Sequence, residues 1–200
     1  MSIIGRRGVL GGGLLLATPG VSVGAAGKPR VSITTKHGVI TVELEAGKAP
    51  LTVANFLRYV AARKYDGGIF YRAARQKSAP TEGTIVATTA KTEQPYPGIP
   101  HEPTTKTGLR HKAGTISLGR FGPGSGKGDF FICASDLPYL DANPAAKGDN
   151  LGFAAFGQVV SGMSAVRRIL ASPTSQDAPF ATQKGEWLKP PIPIVSARRA

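Results

Sequence analysis

Val31-Ser32-Ile33-Thr34-Thr35-Lys36-His37-Gly38-Val39-Ile40-Thr41-Val42-Glu43-Leu44-Glu45 is the stretch that decides the fold. Its first five residues alternate and are rich in β-branched side chains, which predicts a strand. His37-Gly38 reads as a turn. Beyond it, Ile40, Val42 and Leu44 fall on one face and Thr41, Glu43 and Glu45 on the other, as in a strand with one face buried. Two alternating runs joined by a short turn make a hairpin.

Outward from the hairpin, Pro50 suits the first turn of a helix. Val53, Phe56, Leu57 and Val60 follow at spacings of three and four, the apolar stripe of a surface helix. Gly67-Gly68 ends that segment. Ile69-Phe70-Tyr71 begins a third strand and Thr84–Thr88 a fourth. Lys91–Lys112 carries Pro95, Pro97, Pro100 and Pro103 with little apolar period and reads as a long loop. Thr115–Leu118, Phe130–Ala134 and Phe153–Val160 are short apolar runs, expected for strands buried on both faces. Ser161 is the expected cap of a second helix, with Met163, Val166, Ile169 and Leu170 as its stripe. Ile192–Val195 is a candidate closing strand. Gly 26 and Pro 16 in 200 residues favour a turn-rich β fold over a helical bundle. The expectation is a mainly β domain over 27–200: a closed eight-stranded antiparallel barrel with two packing helices.

Residues 1–26 read as an address. Arg6-Arg7 precede an uncharged stretch whose apolar part, Val9–Ala17, is diluted by Gly11-Gly12-Gly13 and followed by small residues at Val23-Gly24-Ala25-Ala26. That order is the order of an export signal, twin-arginine-like in its paired arginines. Gly5 and Val9 depart from that signal's usual residues. Seven glycines across Gly8–Gly27 and few bulky aliphatics argue against a membrane anchor. A periplasmic or secreted protein is expected, with no stable membrane insertion once the signal is removed. The net charge is +13, and loss of Arg6 and Arg7 leaves +11. The remaining cations are scattered through loops without interleaved aromatics or a nucleic-acid-binding module, so no nucleic-acid partner is expected. Attraction to anionic envelope surfaces is the more natural use of such charge.

Several constellations fail on inspection. Gly119–Gly128 looks like a phosphate-cradling loop, yet Phe121 stands where the first glycine belongs and Gly128 where the hydroxyl belongs. His101, Glu102 and His111 lack metal-ligand spacing, and the single cysteine, Cys133, brings no help. Such residues more often satisfy backbone groups in a loop. Ser117, Ser125 and Ser135 have no local base and no nucleophile motif. Neither metal nor cofactor is expected.

Taken in order, Pro50-Leu51-Thr52-Val53-Ala54-Asn55-Phe56, Tyr65-Asp66-Gly67-Gly68-Ile69-Phe70-Tyr71-Arg72, Gly114-Thr115-Ile116-Ser117-Leu118, Asp129-Phe130-Phe131-Ile132-Cys133, Leu140-Asp141 and Phe153–Gly157 with Gln158-Val159 resemble the cyclophilin-type peptidyl-prolyl cis–trans isomerases. The match runs from about Val31 to Ala171 and more weakly to Val195, with the look of a divergent bacterial, exported member. The resemblance implies a catalytic cation at Arg72, a proline-pocket floor at Phe131 and a closing leucine at Leu140. Tyr139 stands where a tryptophan is common. Four positions depart. No Gln stands near Val86-Ala87-Thr88. Gly119-Arg120 replaces an Ala-Asn pair, Asp129 replaces a second Gln, and Phe153 replaces a pocket His. Arg120, Asp129 and Phe153 are thereby expected to line the substrate site, and Asp129 is the candidate to orient Arg72.

The implied chemistry is sparse. An X-Pro amide rotates over a barrier of about 18–20 kcal/mol set by nitrogen–carbonyl resonance. Tens to hundreds of seconds pass without a catalyst. No covalent bond need break. An apolar pocket holds the ring, and a cationic donor near the prolyl nitrogen favours its pyramidal, unconjugated form. Two readings follow: a monomeric isomerase acting on proline-containing segments of exported proteins, or a weak or inactive module of the same fold that binds such segments or a protein partner.

Overall fold

The computed structural model describes residue 1 and residues 27–91 and 94–200, so the proposed signal over 1–26 lies almost wholly outside the described residues. The hairpin forms as read. Strands β1 (Arg30–Thr35) and β2 (Gly38–Leu44) pair antiparallel with Ile33 opposite Ile40 and Val31 opposite Val42, and these four side chains are fully buried. Helix α1 (Pro50–Ala61) begins with its proline in the first turn.

Strands β3 (Ile69–Gln76) and β4 (Ala79–Thr88) follow, then a one-turn helix α2 (Thr104–Thr107) inside the proline-rich loop. After it come β5 (Thr115–Leu118), β6 (Phe130–Cys133), β7 (Ala154–Ser161), helix α3 (Met163–Leu170), the two-residue β8 (Thr174–Ser175) and β9 (Trp187–Arg199).

The sheet runs β1-β2-β7-β5-β6-β4-β3-β9-β8, and β9 also pairs with β1. That last pairing closes an eight-stranded barrel, with β8 a short appendage on β9. Closure removes the exposed edges that would otherwise template aggregation. The closing strand is longer than Ile192–Val195: Thr35 pairs with Ile194, Ile33 with Ala197 and Val31 with Arg199.

Phe56 of α1 reaches into the barrel against Phe130 (5.6 Å between ring centroids, edge-on) and Phe156 (5.2 Å). Rings at such spacings add about 0.5–1.5 kcal/mol per pair beyond the area they bury. Helix α1 packs on β7 and β9, and α3 on β2, β3 and β4. Together with the one-turn α2 this makes three α-helices among the described residues, of which two pack on the barrel.

The start of α3 corrects the sequence reading. Ser161 does not cap it. Ser161 is the last residue of β7, paired with Thr41, and Gly162 holds the cap position at φ +91 with no side-chain cap bond. A Cβ on Gly162 would collide with the Val39 carbonyl oxygen. The close approach and the left-handed backbone both demand glycine, so a serine hydroxyl cannot take that role.

Candidate active site

Strand register builds the site. Trp187 stands opposite Arg72, Arg72 opposite Val86, Val86 opposite Phe131, Phe131 opposite Ser117, and Ser117 opposite Ala155. Directly opposed residues share a face of the sheet. This row lies on the outer wall, because the neighbouring row of Phe70, Ala87, Phe130 and Leu118 fills the interior.

Strict alternation would put Arg72 on the same face as Phe70, inside the barrel. A register shift between Phe70 and Arg72 prevents it: Phe70 opposes Ala87, yet Arg72 opposes the next residue back, Val86. Tyr71 is the extra residue. A bulge that re-aims a side chain is a recurrent device beside functional sites. Here it turns the Arg72 side chain outward, its backbone two interstrand spacings, or about 10 Å, from that of Phe131.

Phe131 anchors a second apolar cluster, separate from the barrel core, with Cys133 and Leu137 buried and Val86, Leu140 and Phe153 packed against it. Leu140 sits at the end of a tight turn, Pro138–Leu140, and its carbonyl receives the Phe153 N–H at 3.0 Å. Phe153 meets Phe131 edge-on at 5.2 Å. Tyr139 stands at the rim, 68% exposed. Burial pushes the Cys133 thiol up to about 12, with the Asp141 and Asp136 carboxylates adding to the shift, so the cluster is apolar in charge state as well as composition.

Arg120 is locked. Its guanidinium takes both carboxylate oxygens of Asp149 (2.5 and 2.9 Å), bonds the Gly152 carbonyl and lies 5.3 Å over the Phe153 ring. It braces the Phe153 side of the apolar cluster and has few donors left to offer a peptide. Asp129 does not orient Arg72. Its carboxylate accepts from Thr88 Oγ1 at 2.6 Å and from the Gln94 amide. Thr88 thus holds Asp129 across the strand pair. Burial raises the Asp129 carboxyl, and the Thr88 and Gln94 bonds oppose that rise. Arg72 instead pairs with Glu186, through Nε at 2.7 Å and Nη2 at 2.6 Å.

Ser117, expected to have no local base, has His111 beside it in the fold. His111 Nε2 lies 3.0 Å from Ser117 Oγ, and His111 Nδ1 lies 2.7 Å from Asp141 Oδ1. Burial lowers the His111 pKa against the pull of Asp141, so the ring is neutral near pH 7. Nδ1–H then donates to Asp141, and Nε2 accepts the Ser117 hydroxyl. The ring stacks on Phe131 at 5.8 Å and 16°. Ser117 is wholly buried, so this chain backs the Phe131 ring and presents no nucleophile. Glu102 satisfies backbone groups, as expected of loop polar residues: it accepts from Thr52 N at 2.8 Å and Leu51 N at 3.3 Å at the start of α1. His101 Nε2 lies 3.2 Å from the Leu151 carbonyl oxygen.

The structure brings Phe131, Leu140 and Phe153 into one apolar cluster, and it adds Glu186, His111, Ser117 and Gln94 as partners that the sequence reading did not name. Glu186 lies 114 residues from Arg72, and no local pattern marks it.

Residues 30–199 match the family described as cyclophilin type peptidyl-prolyl cis-trans isomerase/CLD. A peptidyl-prolyl cis-trans isomerase of Acinetobacter baylyi is 32% identical over 171 residues, covering 85% of this chain and 84% of that protein. Peptidyl-prolyl cis-trans isomerase A of Dickeya dadantii is 32% identical over 169 residues, covering 84% and 83%. In fold, the chain is similar to a cyclophilin type peptidyl-prolyl cis-trans isomerase of Cryptosporidium parvum, with a TM-score of 0.67 at 19% identity over 86% of this chain and 98% of that one. The chain belongs to the cyclophilin-type peptidyl-prolyl cis–trans isomerase family.

Proposed function

We propose that this protein isomerises X-Pro bonds with Arg72 as its catalytic cation and the Phe131 cluster as its proline pocket. The supporting observation is the bulge at Tyr71, which sets Arg72 and Phe131 on one outward face across two strand spacings. The proline ring enters the cluster of Phe131, Leu140 and Phe153, with Tyr139 and the Arg120-braced wall beside it. Asp129 shapes the neighbouring floor through Thr88. The Arg72 guanidinium then donates to the prolyl nitrogen as the amide twists and that nitrogen becomes pyramidal. Every 1.36 kcal/mol by which the twisted state is stabilised gives about tenfold in rate.

The clients are proline-containing segments of exported proteins, met outside the cytoplasm by a monomer freed of residues 1–26. The paired arginines, the apolar stretch and the small residues of that segment support export. Among the described residues, no helix is long and apolar enough to cross a membrane. The excess of cations suits the anionic surfaces of an envelope. A protease-coupled assay on a proline peptide tests the reading: a rate above the thermal background supports it. A folded protein that leaves the peptide at the background rate overturns it in favour of a binding module.

A further inference from the structure

Glu186 is set against Arg72 by more than its carboxylate. Its carbonyl oxygen accepts the Ala73 N–H at 2.8 Å, which fixes its backbone one residue from Arg72. The next residue, Trp187, stands opposite Arg72 in the sheet, lies 5.0 Å from the Tyr71 ring and donates from Nε1 to Gln183 Oε1 at 3.0 Å. Gly185, at φ +80, donates to the Ser175 carbonyl at 3.0 Å, which ties the preceding turn to β8. The whole 174–187 segment is thus a fixed strap beside the bulge. At its end a single carboxylate oxygen takes both Nε and Nη2 of Arg72. Among the described residues, Nη1 makes no hydrogen bond.

We propose that Glu186 is a positioning residue for the isomerisation: it grips the Nε/Nη2 edge of the Arg72 guanidinium and leaves the Nη1 edge to the prolyl nitrogen. This rests on the reading of Arg72 as the catalytic cation. An arginine side chain has many rotamers, and fixing it beforehand removes that entropy from the rate-determining step. A charge-assisted pair to a rigid partner is the economical way to fix it. The oxygen sits on the edge away from Nη1, so it orients the donor without occupying it. In this chain the strap supplies the orientation that the pocket-side residues Thr88 and Asp129, engaged with each other, do not.

The test is peptide isomerisation with kcat and KM resolved separately, combined with the ¹⁵N–¹H signal of Arg72 Nε. Glu186→Ala is expected to lower kcat about tenfold while KM stays within roughly twofold, the pattern of an interaction that matters in the transition state. The Nε–H signal should lose its downfield position and its protection from exchange. Glu186→Gln keeps an acceptor and should recover part of both. In an Arg72→Ala background, Glu186→Ala should change nothing further, because it acts only through that guanidinium. Unchanged or raised kcat in Glu186→Ala overturns the positioning role, and so does a full further loss in the Arg72→Ala background. The two ideas separate cleanly. An Arg72→Ala protein as active as wild type sinks the catalytic reading of Arg72 and this inference with it. A collapsed Arg72→Ala beside a fully active Glu186→Ala sinks the positioning role alone.

Discussion

His111 is buried to 1% exposure, with Asp141 and Ser117 on its two ring nitrogens and Phe131 stacked on its face. Its depressed pKa has a consequence for the whole protein. The unfolded chain takes up a proton near 6.5, while the folded ring resists one because burial disfavours the charge. Stability is therefore complete above about pH 6.5 and drains away as pH falls through that value toward the lower folded one. His37 and His101 are lowered by burial in the same sense, while the raised carboxyl of Asp129 works in the opposite direction. With three histidines against one carboxyl, the melting temperature is expected to fall between pH 7.5 and pH 5. His111→Gln should show a shallower fall than wild type, since the titrating ring is gone and a hydrogen-bonding amide remains. A wild-type melting temperature that is flat or rises toward pH 5 contradicts this.

At the scale of elements, helix α1 shows how a distant loop completes a local structure. Its N-cap residue, Ala49, makes no side-chain cap bond, and the first-turn donors go instead to Glu102, 2% exposed, which also accepts from Thr52 Oγ1 at 2.7 Å. A carboxylate at a helix N-terminus meets both unpaired N–H groups and the positive end of the helix dipole. Glu102→Ala should cost about 1–2 kcal/mol, a drop of roughly 2–8 °C in melting temperature for a chain of this size. A drop of zero in thermal scans removes Glu102 from that role. The hairpin, α1, the stripe of α3 and the doubly buried β6 were all legible, because each is written as a periodic apolar pattern within a few residues. Phe130 and Ile132 face the barrel while Phe131 and Cys133 face the second cluster, which is why Phe130–Cys133 carries no polar position. The bulge at Tyr71 was not legible. Nothing in Phe70-Tyr71-Arg72 marks a skipped residue, and alternation alone sends Arg72 to the wrong face. The Gly162 cap was missed for a related reason: the Val39 carbonyl that excludes a side chain belongs to another strand.

For the whole molecule, the closed barrel was readable from the number and spacing of apolar runs, but its closure by a thirteen-residue β9 was not. Pro190, Pro191 and Pro193 lack the N–H that a central strand donates, so the sequence there reads as a strand of four. The grouping of Phe131, Leu140 and Phe153 was readable, whereas the cation's partner was not, because Glu186 is brought in only by the pairing of β9 with β3. The proposed export signal predicts protein in an envelope fraction with the intact mass of a chain cleaved near Ala26. A full-length mass there contradicts removal of the signal. The most direct measurement of the central claim is kcat/KM for a proline peptide with wild type, Arg72→Ala and Arg72→Lys side by side. Arg72 lies on the sheet face that carries Phe131, and a charge-assisted hydrogen bond is worth about 1.5–3 kcal/mol. Arg72→Ala is therefore expected to fall roughly ten- to a hundredfold below wild type, with Arg72→Lys recovering little because a point ammonium lacks the planar fork. An Arg72→Ala protein that is folded and isomerises the peptide as fast as wild type contradicts it.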